Sequence, residues 1–399
     1  MKHKRLLLLG AMPTHIPIIK RAKERGIYVI TCDYIPENEG HRYADEAHFD
    51  STTDKTAVLK LAKECNVDGV MTFNSDPAAA TAAYVSECLG LSSSGYEAVT
   101  IMSEKDKFRS FLKDNGFNVP NFIQVISYEE CLEQMEKLSF PLMIKPVDSS
   151  GSKGVNRVDH EEDLEKRFHE AMSFSRCKRI ILEEYIEPQG AQIHGNAFVK
   201  DGKVEFIYLG DHHFDPEINN LLPISTTWPS IRNADEIKCV EEEVQRFISA
   251  VGYRQGGIDI EARISARDGK IYLIEVGPRN GGDYVPFAIQ YASGFSFVDA
   301  WLDCVLGENV ANTKIEKKGY YCYIVIHAKQ NGILKSIYIS DILQKRILER
   351  YDYLKLGQEI GQCTSSKYTA GIILAGFESN EEMQDIVDNI DSHCKVIVD

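Results

Sequence analysis

The first hundred positions alternate short apolar runs with amphipathic stretches. "RLLLLG" reads as a buried strand, "IPIIKRAKERG" as a helix stopped by Gly26, and "IYVITCDY" as a second strand. "STTDKTAVLKLAKECNV" follows as a helix with Ser51 as its N-cap. "DGVMTF" is then a third strand and "DPAAATAAYVSECLG" a helix. Strands alternating with helices in this way specify a parallel sheet covered on both faces.

The rhythm then changes. "SEKDKFRSFLKDNG" (103–116) predicts one capped helix, and "NFIQVIS" leads into a second whose start carries a capping box, Ser127 with Glu130. "FPLMIKPV" and "VNRVD" read as strands around a bare loop, and a helix is expected from about Asp159, with Glu162 three residues on. "RIILEEYI" is a strand. "AQIHGNAFVKDGKVEFIYLGD" is a hairpin turning at Asp201-Gly202. After the helix "ADEIKCVEEEVQRFISAVG" come two strands, 258–265 and 270–276. The tail from about residue 318 reads as a small α+β unit.

Composition narrows the class. A chain of 399 residues with 43% hydrophobic and 26% charged positions is globular and long enough for several packed units. A net charge of -15 argues against a nucleic-acid or anionic-membrane surface, although an anionic ligand could still find a locally basic site. The ten cysteines are scattered singly, with no CxxC and no Cys/His metal spacing, as reduced thiols of a cytoplasmic protein would be. "MKHKRLLLLGAM" mimics a signal peptide, but its apolar run ends at Pro13 and reads better as a first strand. No run approaches the roughly 20 apolar residues of a membrane helix.

Three features carry chemistry. "KPVDSSGSKGV" places Lys145 on a strand that enters a loop of small residues, Ser150, Gly151, Ser152, Lys153, Gly154 and Val155. Few side chains screen that backbone, so its N–H groups can approach an oxyanion. The P-loop pattern is absent, and an ordinary serine-rich hairpin tip explains the loop equally well. Secondly, an apolar face of Ile258, Ile260, Ala262 and Ile264 against Val276, Ile274 and Tyr272 predicts a hairpin with Glu261 opposite Glu275. Asp259 then lies opposite Gly277, and the turn holds an odd number of residues. Facing like charges destabilise a sheet unless a cation lies between them, and hard carboxylate oxygens favour Mg²⁺ or Mn²⁺. Two solvated glutamates are the plain alternative. Thirdly, "GPRNGG" sets Arg279 just beyond, suited to a bidentate phosphoryl or carboxylate group, or simply a loop arginine.

Taken in order, these segments resemble the ATP-grasp superfamily across roughly residues 5 to 305. The order of "SEKDKFRSFLKDNGFNVP", "FPLMIKPVDSSGSKGV", "ILEEYIE" and "IYLIEVGPRNGG" carries the resemblance more than any one motif. The fold implied is mixed α/β and α+β. A parallel-sheet, Rossmann-like pre-ATP-grasp domain covers 1–98. A two-part ATP-grasp domain holds nucleotide between two sheets, with a lid part at 99–182 and a catalytic part at 183–310. An α+β domain closes the chain at 311–399.

The resemblance implies these roles. Lys105, with Lys107 as its rival, and Lys145 bind phosphates of ATP. The loop from Ser150 to Val155 covers them. Glu183, Glu184, Tyr185 and Ile186 form the hinge that reads adenine, and Gln192 stands where a ribose-binding glutamate is usual. Glu261 and Glu275 hold Mg²⁺, and Arg279 steadies the transferring phosphoryl group. Gly277 stands in place of the family's asparagine in "E-x-N-P-R", a gap that Asp259 could fill.

The activity implied is carboxylate-amine ligation through an acyl phosphate, releasing ADP and phosphate. Its partners are a small carboxylate and an amine, with a homodimer as the assembly to test. A purine-pathway or carbamoyl-phosphate-synthase-like enzyme acting on bicarbonate, and an inactive ATP-binding regulatory protein, are the rivals. A dinucleotide oxidoreductase is disfavoured because "GAMPTH" lacks G-x-G-x-x-G. The stretch 210–230, with Asp211, His212, His213 and Trp228, is a candidate source of specificity, with a partly buried ordinary loop as the equal alternative. "GAMPTHIP" (10–17) and "NSD" (74–76), at strand ends, are expected to reach the substrate pocket.

Overall fold

The computed structural model describes residues 3–215, 219–310, 316, 319–365 and 368–399. The N-terminal part is a parallel sheet of β1 (Arg5–Leu9), β2 (Tyr28–Cys32), β3 (Glu46–His48) and β4 (Gly69–Met71), in the order β3-β2-β1-β4. Leu6 to Leu9 are all fully buried, as continuous apolar strands are when helices cover both faces. The helix after β3 starts at Lys55, and its cap is Asp54 rather than Ser51. The Asp54 carboxylate accepts from the Thr56 and Ala57 N–H groups, both at 3.0 Å.

The helix expected over 103–116 runs Lys105–Asp114, and a separate helix, Tyr96–Ser103, precedes it with Glu104 extended between the two. Tertiary ties set that break. Glu104 pairs with Arg179 at 2.6 Å and Lys107 at 2.8 Å, and the Lys105 N–H donates to Val147 O at 3.1 Å.

A second, antiparallel sheet contains β5 (Phe122–Val125), β6 (Leu142–Pro146), β7 (Asn156–Val158) and β8 (Ile180–Glu184) in the order β5-β8-β6-β7. Ser127 caps its helix as expected, accepting from the Glu130 N–H at 3.2 Å, while Glu130 reaches back to the Ile126 N–H at 2.9 Å. The helix expected from Asp159 begins at Leu164, after a short 3-10 turn.

The centre of the molecule is an eight-stranded sheet. It holds β9 (Gln192–Lys200), β10 (Lys203–Asp215), β11 (Asn219–Trp228), β12 (Gly256–Ile264) and β13 (Ile271–Gly277). Asp201 and Gly202 both take positive φ, 51° and 75°, the conformation of a tight β-hairpin turn between β9 and β10. The tail adds β14 (Tyr320–His327), β15 (Gly332–Ile339), β16 (Ile347–Asp352), β17 (Glu359–Ile360), β18 (Thr369–Phe377) and β19 (Cys394–Val398).

Here the structure departs from the expected separate tail. β14, β18 and β16 continue the central sheet, in the order β13-β12-β9-β10-β11-β14-β18-β16, and only β15, β17 and β19 form a sheet of their own. The edge strand β11 pairs with β14 over Ser225–Trp228, so the tail completes a sheet that would otherwise end with unpaired backbone. One face of the sheet packs on the helix Ala234–Val251 through Val240, Val244, Phe247 and Ile248. The far end of the opposite face, with Phe198, Tyr208 and Trp228, packs on the helices Val285–Ser293 and Phe297–Val305.

Candidate active site

β12 and β13 pair with Asp259 opposite Gly277, Ile260 opposite Val276 and Glu261 opposite Glu275, the register expected from the apolar pattern. A bulge then intervenes. Ala262 faces Leu273 rather than Ile274, and Ile264 faces Ile271, so the six-residue connection is even where an odd one was expected. The apolar face is kept by Leu273, which is 3% exposed. The extra residue bends the strand immediately beside Glu275.

An arginine sits on that bulge. The Arg109 guanidinium donates to Leu273 O at 3.1 Å and Ile274 O at 3.0 Å, taking up carbonyls beside the shifted register. The same guanidinium grips Glu183 at 2.7 and 3.3 Å. It therefore ties the Lys105–Asp114 helix, β8 and β13 into one block. Arg109 was missed in the sequence, although it stands four residues after Lys105, one helical turn along the same face.

Glu261 and Glu275 share a row of the sheet with His194, which faces Glu261 from β9. Gln192 donates to Glu261 Oε2 at 2.9 Å and accepts from Arg263 Nε at 2.7 Å. It thus lies against the acidic pair and orients one member of it. Burial, followed by the facing Glu275 carboxylate, pushes Glu261 up to about 7. Such a pair is under-neutralised and fits a divalent cation.

Asp259 is placed differently. His194 Nε2 lies 3.0 Å from its Oδ1, and Arg279 binds Oδ2. With its amide nitrogen turned toward the acid, Asn196 donates to Oδ1 at 3.2 Å and accepts from the Gly281 N–H at 2.7 Å. Burial opposes ionisation of Asp259, but Arg279 and His194 outweigh it and hold the carboxyl down to about 2. Both of its oxygens are thus engaged by side chains of the protein. A Cβ at Gly277 would first meet the Arg279 guanidinium, at 3.5 to 3.7 Å, an ordinary contact that leaves room for a β-carbon.

Arg279 is 9% exposed and doubly clamped. Besides Asp259 it holds Asp76 through a two-pronged pair, Nε to Oδ1 at 2.6 Å and Nη2 to Oδ2 at 3.1 Å, and it stands 3.8 Å from Glu275. Asp76 opens the Asp76–Cys88 helix that follows β4, and the Asn280 N–H donates to Phe73 O at 3.0 Å. The "NSD" stretch therefore reaches this site from the N-terminal sheet. The "GAMPTHIP" stretch contributes His15, which is wholly buried and makes no contact with Arg279 or the acidic pair among the bonds of the described residues.

The second sheet supplies the cations. Lys145, 8% exposed on β6, pairs with Glu183 on β8. Burial opposes charge on both. The adjacent Arg109 and Lys145 nevertheless hold Glu183 at about 2, whereas Lys145 is shifted below its ordinary value. Lys105 donates to Ser149 O at 2.7 Å at the base of the loop, while Lys107 is exposed and pairs with Glu104.

The loop itself carries positive φ at Gly151, Ser152 and Gly154, and Ser152 Oγ donates to Leu221 O at 3.0 Å across on β11. A Cβ at Gly154 would stand 2.9 Å from Pro146 and Phe174, so glycine is required there.

The four expected hinge residues lie together at the end of β8, but most of their polar groups are engaged. Glu183 is taken by Lys145 and Arg109, and Glu184 accepts from the Ser139 N–H at 3.0 Å. The Tyr185 N–H donates to Pro141 O at 2.8 Å, and Ile186 O accepts from Arg263 at 2.8 Å. Glu183 is thus engaged on both oxygens and Glu184 on one.

The expected specificity stretch 210–230 includes 216–218, outside the described residues. Its His212 is buried and stacks on His194 with ring centroids 4.0 Å apart. Burial holds His212 well below the ordinary imidazole range, so the stacked ring is neutral near pH 7. His213 Nε2 lies 3.0 Å from Thr227 Oγ1, and Asp211 takes Ser230 and the Ile231 N–H, both at 2.7 Å. All ten cysteines are unpaired. No helix among the described residues is long and apolar enough to cross a membrane.

Comparison with known proteins agrees with this geometry. Residues 138–286 match the ATP-grasp domain model, a span that takes in the small-residue loop, β8, the acidic pair and Arg279. Over that span the chain is similar to ATP-grasp domains. It is 25% identical over 332 residues to the carbamoyl phosphate synthase large chain of Pseudothermotoga lettingae, covering 78% of this chain and 29% of that one. The corresponding chain of Clostridium beijerinckii is 26% identical over 337 residues, covering 80% and 30%. This chain therefore spans under a third of the length of these relatives. Among solved structures, an L-amino acid ligase from Bacillus licheniformis superposes with TM-score 0.82 at 23% identity, covering both chains fully. Phosphoribosylglycinamide synthetase from Anaerococcus prevotii superposes with TM-score 0.77 at 23% identity, also over both full chains.

Proposed function

We propose that this chain is an ATP-dependent carboxylate-amine ligase. It activates a small carboxylate as an acyl phosphate and joins it to an amine, releasing ADP and phosphate. The observation that carries this reading is the Glu261–Glu275 pair. Two acidic groups face each other on one sheet, one of them driven toward the protonated form, and the cations Lys105, Lys145 and Arg279 stand on neighbouring elements.

Glu261 and Glu275 would hold Mg²⁺, or Mn²⁺, which neutralises phosphate charge when bound. Lys145, kept in place by Glu183, and Lys105, at the loop base, would face the phosphates. The loop from Ser150 to Val155 would exclude water that otherwise hydrolyses an acyl phosphate. Arg279, fixed by Asp76 and Asp259, would orient the group being transferred. In the first step a substrate carboxylate oxygen bonds to the γ-phosphorus and ADP leaves. In the second the amine nitrogen bonds to the acyl carbon, phosphate leaves and the amine gives up a proton. The carboxylate needs no base, so positioning and charge neutralisation carry most of the first step.

The experiment is a matrix of amino acids, other small acids and bicarbonate against amines, scored for ADP release and product mass. An amide product with stoichiometric ADP supports the proposal. ADP release with bicarbonate alone would favour the carbamoyl-phosphate-type reading, which the Pseudothermotoga and Clostridium relatives support. MgATP binding without ADP release under any pair would favour a regulatory binder.

A further inference from the structure

Away from that site, the outer edge of the parallel sheet gathers Glu46, His48 and Cys65. Glu46 and His48 are two apart on β3 and so share one face of the strand. Cys65 is the C-cap of the Lys55–Glu64 helix. Glu46 Oε1 lies 2.8 Å from His48 Nε2 and 3.6 Å from Cys65 Sγ. One ligand atom from each of the three residues falls within 4.8 Å of the others, the one such group among the described residues.

The other oxygen of the same carboxylate is held separately. Glu46 Oε2 accepts from Arg5 Nη2 and from the Tyr28 hydroxyl, both at 3.3 Å. One oxygen therefore faces a thiol and an imidazole while its twin is fixed by two donors. That is the division seen when a metal-ligating carboxylate is oriented by an outer shell. The Glu46 and His48 side chains are 33% and 32% exposed, which leaves an open side, whereas Cys65 is buried.

We propose that Glu46, His48 and Cys65 bind Zn²⁺, with water from the open side as the fourth ligand. A thiolate, an imidazole and a carboxylate suit Zn²⁺ and disfavour Mg²⁺. Binding displaces the Cys65 proton to solvent and pins the end of the Lys55–Glu64 helix to the sheet edge. The site is independent of the ligase reading and uses none of its residues.

The test uses the full chain stripped with a chelator, then titrated with Co²⁺ and Zn²⁺. One equivalent of Co²⁺ is expected to give tetrahedral d–d bands and a sulfur-to-cobalt charge-transfer band, both abolished by Zn²⁺. Cys65→Ser should remove the charge-transfer band, and His48→Gln should weaken Zn²⁺ at least about tenfold. Tyr28→Phe, outside the ligand set, should weaken it by about tenfold as well. Far-UV circular dichroism checks that each variant folds, and Glu46→Gln replaces any that does not. Absence of the charge-transfer band overturns the proposal. So does its persistence in Cys65→Ser, since the metal would then sit on another of the ten cysteines.

Discussion

Glu261→Gln should make the metal-free protein more stable at alkaline pH while abolishing its turnover. The wild-type carboxyl ordinarily titrates at 4.5, and in the fold it is raised to about 7 by burial and by Glu275. A raised carboxyl means that the folded state binds a proton more readily than the unfolded chain. Stability from this group is therefore complete below about 4.5 and is lost as pH rises through about 7. The full loss, reached by about pH 8, comes to about 3 kcal/mol, and toward about 2 kcal/mol once water at the half-buried group screens it. Glutamine keeps the shape and can still accept from Gln192 but carries no charge. The variant should gain about 2 kcal/mol over wild type at pH 8 and almost nothing at about pH 4. The assay is urea unfolding at both pH values, with chelator present, paired with ADP release under saturating MgATP. Equal stability of the two proteins at pH 8, or near-normal ADP release by the variant, would refute the reasoning.

Glu275→Gln should fold normally yet lose nearly all turnover, by ADP release and circular dichroism, because one of the two carboxylates proposed to hold the metal is gone. Asp76→Asn should lower kcat/KM by at least about tenfold, with Asp76→Glu partly restoring it, since the two-pronged clamp on Arg279 is lost while Asp259 remains. Gly277→Asn should fold, because a Cβ there meets Arg279 at no less than 3.5 Å, and should lower the Mg²⁺ needed for half-maximal turnover. A fall of about tenfold would equal one added contact worth about 1.4 kcal/mol. Gly154→Ala should slow turnover and lower Tm, because the added carbon would press on Pro146 and Phe174 at 2.9 Å and glycine's φ of +73° is strained for alanine.

Asp76 has a wider consequence for how the molecule works. It brings a carboxylate from the N-terminal parallel sheet onto the arginine of the central sheet, so docking of these two parts is built into the site. Arg109 does the same for the second sheet, joining Glu183 to the bulge beside Glu275. The first is a partly buried and the second a fully buried ion pair, and such pairs contribute geometry more dependably than they contribute stability.

Much of this was legible in the chain itself. Alternating apolar and polar positions determined the strands, and in β12 and β13 they determined the pairing of Glu261 with Glu275. One wrong step of register would have turned every apolar side chain outward. The ordered motifs carried the resemblance to ATP-grasp domains, which the match over 138–286 repeats, because each lies on a strand or loop whose own residues specify it. Tertiary structure decided the rest. It placed the bulge after Glu261, because carbonyls released from the ladder could be taken up by an arginine from a distant helix. It held Glu104 extended between the helices Tyr96–Ser103 and Lys105–Asp114, because Arg179 and Val147 lie across from it. It gave Asp259, Glu183 and Glu184 partners that a linear sequence does not display. Local periodicity sets which face a side chain takes, but the charge that meets it there comes from residues far along the chain, and only folding brings them within reach.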